Sequence, residues 1–150
     1  MEERQSRKFA VILHADVVGS TSLVRRNETI AHERILDTFH RFSETIDAYG
    51  GVAHEIRGDA LVAEFARPSD AVCVALQFQQ SNAEYNAQFE DDILPKVRVG
   101  IALGEEVIAD DTVTGAGVVL AQRVEQLAEP GGICITGAVH EAIQIGRAHV

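Results

Sequence analysis

No apolar stretch in this chain of 150 residues is long enough to cross a membrane as a helix. The opening segment, Met1 to Lys8, is charged and lacks the apolar core of a signal peptide. The expected setting is therefore cytoplasmic, with no membrane partner. Cysteine is scarce: Cys73 and Cys134 stand far apart, fit no metal-binding or redox spacing, and read as buried thiols in a reducing compartment. Positive charge is in deficit too. The formal net charge is −10, which excludes the basic face of a general nucleic-acid binder and predicts no nucleic-acid partner. It does not exclude a small phosphorylated ligand, because bound cations and a few local side chains neutralise phosphates. Internal repeats and low-complexity segments are also missing.

What is present is a globular composition, 46% hydrophobic and 24% charged, in a length that suits one domain spanning residues 1–150. Phe9 to Leu13 is a continuous apolar run and reads as a strand buried on both faces. The turn residues Gly19, Ser20 and Thr21 follow, then one long helix to about Tyr49, with an apolar stripe of Ile35, Phe39, Phe42 and Ile46. Gly50-Gly51 ends it. Val52 to Ile56 and Ala60 to Phe65 read as a hairpin around Arg57-Gly58-Asp59. Pro68-Ser69-Asp70 opens a second helix that turns Val72, Ala75 and Leu76 inward and frays over Ser81 to Gln88. Lys96 to Leu103 alternates as a strand, Gly104 to Asp111 forms a short hairpin arm, and Gly115 to Leu127 a third helix. After Pro130-Gly131-Gly132 come a short strand, Ile133 to Ile135, and a last helix. The order β-α-β-β-α-β predicts an α+β, ferredoxin-like antiparallel sheet with helices on one face.

In that arrangement two carboxylates come together. Asp16 follows the first strand, and Asp59 sits in the hairpin turn of a strand pair that can lie beside it. Two neighbouring carboxylates repel unless a cation separates them, and hard oxygen ligands suit Mg²⁺ or Mn²⁺ with phosphates completing the shell. The backbone of Val17 to Thr21, at a helix start, suits phosphate. Spacing alone favours an Asp16 that caps the next helix and an Asp59 that is only a turn residue, and it is the adjoining turn, Val17 to Thr21, that shifts the balance toward the cation site.

Four motifs, in order over about residues 8 to 145, resemble the class III adenylyl and guanylyl cyclases. They are Ala15-Asp16-Val17-Val18-Gly19-Ser20-Thr21, Arg57-Gly58-Asp59-Ala60-Leu61, Val99-Gly100-Ile101-Ala102-Leu103-Gly104, and Gly115 to Arg123 with Pro130-Gly131-Gly132-Ile133. The resemblance implies that ATP or GTP is converted to a 3′,5′-cyclic nucleotide and pyrophosphate in cyclic-nucleotide signalling. It implies two Mg²⁺ or Mn²⁺ ions per site, held by Asp16, Asp59 and the Val17 carbonyl. It assigns phosphate binding to Val18, Gly19, Ser20 and Thr21, and transition-state stabilisation to Arg123. It also implies a homodimer, the second subunit completing each site.

The base-selecting positions hold Glu55 and Thr112. A carboxylate accepts from guanine N1–H and its amino group, whereas a threonine hydroxyl donates or accepts, so the pair leaves both GTP and ATP open. Glu55 fits a solvated strand residue as well, and Arg123 a surface residue paired with an acid. The chain departs from the family at Val119, where the pattern has a ribose-orienting Asn. The family's triphosphate-binding Lys falls beyond the last residue. Residues 145–150 resemble a translated sequencing adapter, from which a truncation is expected. The alternative expectation is a catalytically degenerate cyclase-homology domain that dimerises and binds nucleotide or regulates a neighbour. His14, His32, His40, His54 and His140 show no metal-ligand spacing, and His14 and His54 read as structural.

Overall fold

A computed structural model of the chain describes residues 5–57, 60–110 and 112–148. The elements run β1 (Gln5–Val17), α1 (Ser20–Arg26), α2 (Glu28–Ala48), β2 (Val52–Arg57), β3 (Ala60–Phe65), α3 (Pro68–Asn86), β4 (Val97–Ala109), β5 (Thr112–Thr114), α4 (Ala116–Glu125), β6 (Ile133–Ile135) and α5 (Gly137–Ala148). The sheet order is β2-β3-β1-β4-β5, with β6 also on β4. The pairings β2–β3, β3–β1 and β1–β4 are antiparallel, as the ferredoxin-like reading requires. The outer edge of β4 is shared. Val99 to Ile101 pair with β6 in parallel, and Val107 to Ala109 pair with β5 antiparallel.

Strand alternation divides the sheet into two faces. Val11, Leu13, Ala15 and Val17 join Leu61, Ala63, Phe65, Val97, Val99 and Ile101 in the main core. Helices α2 and α3 close this face through Ile35, Phe39, Phe42, Ile46, Val74 and Phe78. The rings of Phe42 and Phe78 stack at 3.9 Å between centroids. Each such buried side chain contributes on the order of 2 kcal/mol. The other face carries Ile12, Val62, Ala102, Val113 and Ala121, a smaller core beneath α4. The helices of the β-α-β-β-α-β unit thus share one face, and α4 takes the opposite one. The sheet also curls, bringing edge strand β2 next to β5.

The long helix expected after Ser20 is two helices. At Asn27 the backbone is extended (φ −162°), and its side-chain oxygen accepts from the Ile30 N–H at 3.0 Å, capping α2. A local side-chain cap thereby replaces helix continuation. Asn27→Ala is expected to lower stability by about 1 kcal/mol in urea unfolding, with little change in denaturant dependence.

Helix α3 also departs from expectation. Ala71, Val74, Ala75 and Phe78 form its inward stripe, so Leu76, at 59% exposure, and Cys73 both face solvent. Cys134 is half-buried. The predicted fraying does not occur, because Asn82 and Asn86 are buried and donate to the Pro95 carbonyl at 3.0 and 2.9 Å. The strand expected at Lys96 to Leu103 and its short arm are one strand, β4, because β1 pairs with it along its whole length.

Candidate active site

Asp16 lies one residue from the end of β1. Its neighbours Ala15 and Val17 belong to the main core, so its side chain leaves the sheet on the α4 face. It is half-buried. In register it stands opposite Ala60 on β3 and Arg98 on β4. Asp59 lies outside the described residues.

The turn after β1 is built for a sharp exit. Val18 donates its N–H to the Lys96 carbonyl at 2.8 Å. Gly19 then takes φ 62°, which favours glycine, and α1 starts at Ser20. With glycine at the cap, no side chain bonds the first-turn N–H groups from that position. Thr21 is exposed and Val17 buried.

The remaining expected residues lie elsewhere on the same face. Helix α4 buries Gly117, Ala121 and Glu125, and this turns Val119 (48% exposed) and Arg123 outward, one helical turn apart. Glu125 is held from below, since buried His14 donates from Nδ1 to its carboxylate at 3.1 Å. His14 is two residues from Asp16, so this bond ties α4 to the strand that carries the acid. Thr112 is exposed on β5. The Glu55 side chain lies outside the described residues, but its backbone belongs to β2, where it pairs with Val62 of β3, and the curl brings β2 next to β5. The structure therefore gathers Asp16 with the turn at 17–21 at one end of the sheet. It presents Arg123, Val119 and Thr112 outward from other elements.

A second polar group went unseen in the sequence. Among the described residues, His54, Glu64 and Glu106 bring ligand atoms within 4.8 Å of one another. His54 Nε2 bonds Glu64 Oε1, Lys8 Nζ pairs with Glu64 Oε2 at 2.7 Å, and His54 Nε2 lies 3.9 Å from Glu106 Oε1. Burial pushes the Glu64 carboxyl up, but the bonds from Lys8 and His54 outweigh it and hold the group below the usual range. Burial, followed by the nearby Glu64 charge, pushes the Glu106 carboxyl up. The hydrogen bond to Glu64 raises Lys8. Glu64 pairs in register with Ile12, four residues before Asp16, or about 13 Å along β1, so this group is separate from Asp16. Its members come from different strands, and no local spacing announces them.

The model of the adenylate and guanylate cyclase catalytic domain matches residues 2–149. The chain is 34% identical to the protein named "Putative adenylate cyclase 3" of Rhizobium meliloti (strain 1021), over 99% of its own length and 25% of that protein's. It thus spans about a quarter of that relative, and 36% of the adenylate cyclase of Streptomyces coelicolor, to which it is 29% identical. Among solved structures, the adenylate/guanylate cyclase/hydrolase from Silicibacter pomeroyi is similar at a TM-score of 0.81 and 31% identity, covering 98% of this chain and 84% of that one. The guanylyl cyclase Cya2 is similar at a TM-score of 0.77 and 25% identity, covering 91% and 79%. With its sheet order, its acid at the end of β1 and this match over nearly its whole length, the chain belongs to the adenylate and guanylate cyclase catalytic domain family.

Proposed function

We propose that the chain, residues 1–150 acting as one domain, converts ATP or GTP to the 3′,5′-cyclic nucleotide and pyrophosphate as a homodimer. The observation that carries this reading is the register of Asp16 opposite Ala60, the residue that follows Asp59 in the sequence. Carboxylate oxygens at a half-buried strand end are a fitting donor set for Mg²⁺ or Mn²⁺. Asp16 and Asp59 would hold two such ions, with the Val17 carbonyl as a further ligand. Bound there, divalent cations stabilise charge on the attacking 3′-oxygen and the departing pyrophosphate.

The chain's own groups orient the nucleotide. Val18, Gly19, Ser20 and Thr21 offer backbone N–H and hydroxyl donors to the phosphates. The 3′-oxygen bonds to the α-phosphorus, the bond from that phosphorus to the bridging oxygen breaks with its electron pair going to the pyrophosphate, and the 3′-hydroxyl proton passes to water. The second copy of the chain supplies Arg123, which stabilises the charge on the transferring phosphoryl group, and Glu55 and Thr112, which read the base. Glu55 favours guanine, and Thr112 accommodates either purine. The outward position of Arg123, flanked by exposed Val119, Leu120 and Leu127, supports a partner meeting this face.

Val119 favours a second reading, a domain that binds nucleotide and regulates a neighbour with little turnover. Its side chain, at the position where the family pattern has a ribose-orienting Asn, is exposed and unable to hydrogen-bond. One assay separates the two readings: cyclic nucleotide formation by the purified chain with Mn²⁺ and either ATP or GTP. Product identifies the enzyme and its base. No product, with nucleotide-dependent Mn²⁺ binding intact, favours the regulatory domain. In the enzyme, Val119→Asn is expected to raise kcat about tenfold or more by restoring an orienting contact, with KM less affected.

A further inference from the structure

The least satisfied group among the described residues is Glu106. It is 0% exposed, and neither carboxylate oxygen accepts a hydrogen bond. An isolated buried carboxylate is costly and calls for a partner. Its surroundings provide half of one. Glu64 adds a second carboxylate, and Lys8 is already engaged with Glu64 Oε2. The group thus sets two carboxyl groups against one lysine inside the curl of the sheet.

We propose that His54, Glu64 and Glu106 form a binding site for one divalent cation of the zinc type, separate from the cations at Asp16. His54 Nε2 and one oxygen from each glutamate already lie within 4.8 Å of one another. Ligand bonds of about 2.0–2.2 Å need only small side-chain adjustment from there. One imidazole with two carboxylates is a mixed nitrogen and oxygen set, which suits Zn²⁺ better than Mg²⁺. Glu64 ligates through Oε1 while Lys8 holds Oε2 at 2.7 Å, so the lysine orients the ligand carboxylate instead of competing for the ion. Lys8 is half exposed and marks the entry side, where water completes the coordination shell. The ion joins β2, β3 and β4, strands that are not all neighbours in the sheet order. It therefore pins the curl that sets β2 against β5.

The test is calorimetric titration of the 150-residue chain with Zn²⁺ alone, without nucleotide, alongside thermal unfolding. The expected result is one ion per chain with a Kd of about 1 μM or tighter and a raised Tm. Asp16→Ala should leave both unchanged. Glu106→Gln and His54→Gln should each weaken binding by about a hundredfold or more and abolish the rise in Tm. Should Glu106→Gln fail to fold, His54→Gln, at a half-buried position, carries the test by itself. The proposal is overturned if wild type shows no saturable binding up to millimolar Zn²⁺, as it would if Glu106 simply holds a proton. Binding undiminished in the folded variants overturns it equally.

Discussion

Asp16→Ala is expected to lower cyclic nucleotide formation by about a thousandfold with Mn²⁺ and nucleotide in excess, while the Tm moves little. A cation clamp on transferring phosphoryl oxygens supplies several kcal/mol of transition-state stabilisation, and each 1.4 kcal/mol is about tenfold in rate. Asp16 carries much of that clamp in the proposed mechanism. Its side chain leaves the sheet on the face opposite the main core, so Ala15 and Val17 keep their packing when the carboxylate is removed. The loss should fall on kcat, with nucleotide-dependent Mn²⁺ binding weakened in parallel. Turnover retained within tenfold of wild type would show that the chemistry does not pass through this acid.

Gly100→Ala should produce the largest loss of stability from a single methyl group, about 3 kcal/mol in urea unfolding. A Cβ at Gly100 would lie 2.3 Å from the Ala121 carbonyl oxygen and 2.4 Å from the Glu125 nitrogen. Both are backbone atoms of α4 and cannot rotate aside. Two more glycines continue the same track: a Cβ at Gly104 would meet the Gly117 Cα at 2.6 Å, and one at Gly117 would meet Ile12 Cδ1 at 2.6 Å. Helix and strand therefore touch backbone to backbone, and the added carbon must lift α4. Because α4 carries Arg123, and Glu125 is bonded to His14 beneath it, activity should fall together with stability. Gly137→Ala is the matched control, since a Cβ there meets nothing within 4 Å. Equal costs at Gly100 and Gly137 would refute the close-approach account.

The sequence made some of this legible and hid the rest for physical reasons. The place of Asp16 near the end of the first strand could be read because the apolar run Phe9 to Leu13 leads up to it and small turn residues follow. The stripe Ile35, Phe39, Phe42 and Ile46 could be read because each of these residues meets the same core. The break at Asn27 was signalled by an N-cap residue before Glu28, but the apolar periodicity on either side masked it. Leu76 is apolar yet faces solvent, because Ala71, Ala75 and Phe78 define the buried face of α3 and hydrophobicity alone does not fix direction. The full length of β4 was concealed because Gly104, Glu105 and Glu106 interrupt the apolar alternation of Lys96 to Leu103. In fact Glu106 is buried in the strand, opposite Lys8 in register. The grouping of His54, Glu64 and Glu106 depends on the curl of the sheet, which no local spacing encodes.

The divided edge of β4 has a consequence for colloidal behaviour. A long, continuous strand edge is a template on which further chains can stack into fibrils. Here the outer side of β4 is occupied in two short pieces by β5 and β6, each only three residues long. At the far side of the sheet, β2 shifts register between Ala53 and Glu55, which interrupts its hydrogen-bonding rim. Neither border offers a regular ladder for open-ended growth. A second copy is left to meet the molecule through a face, an association that closes on itself at a finite size.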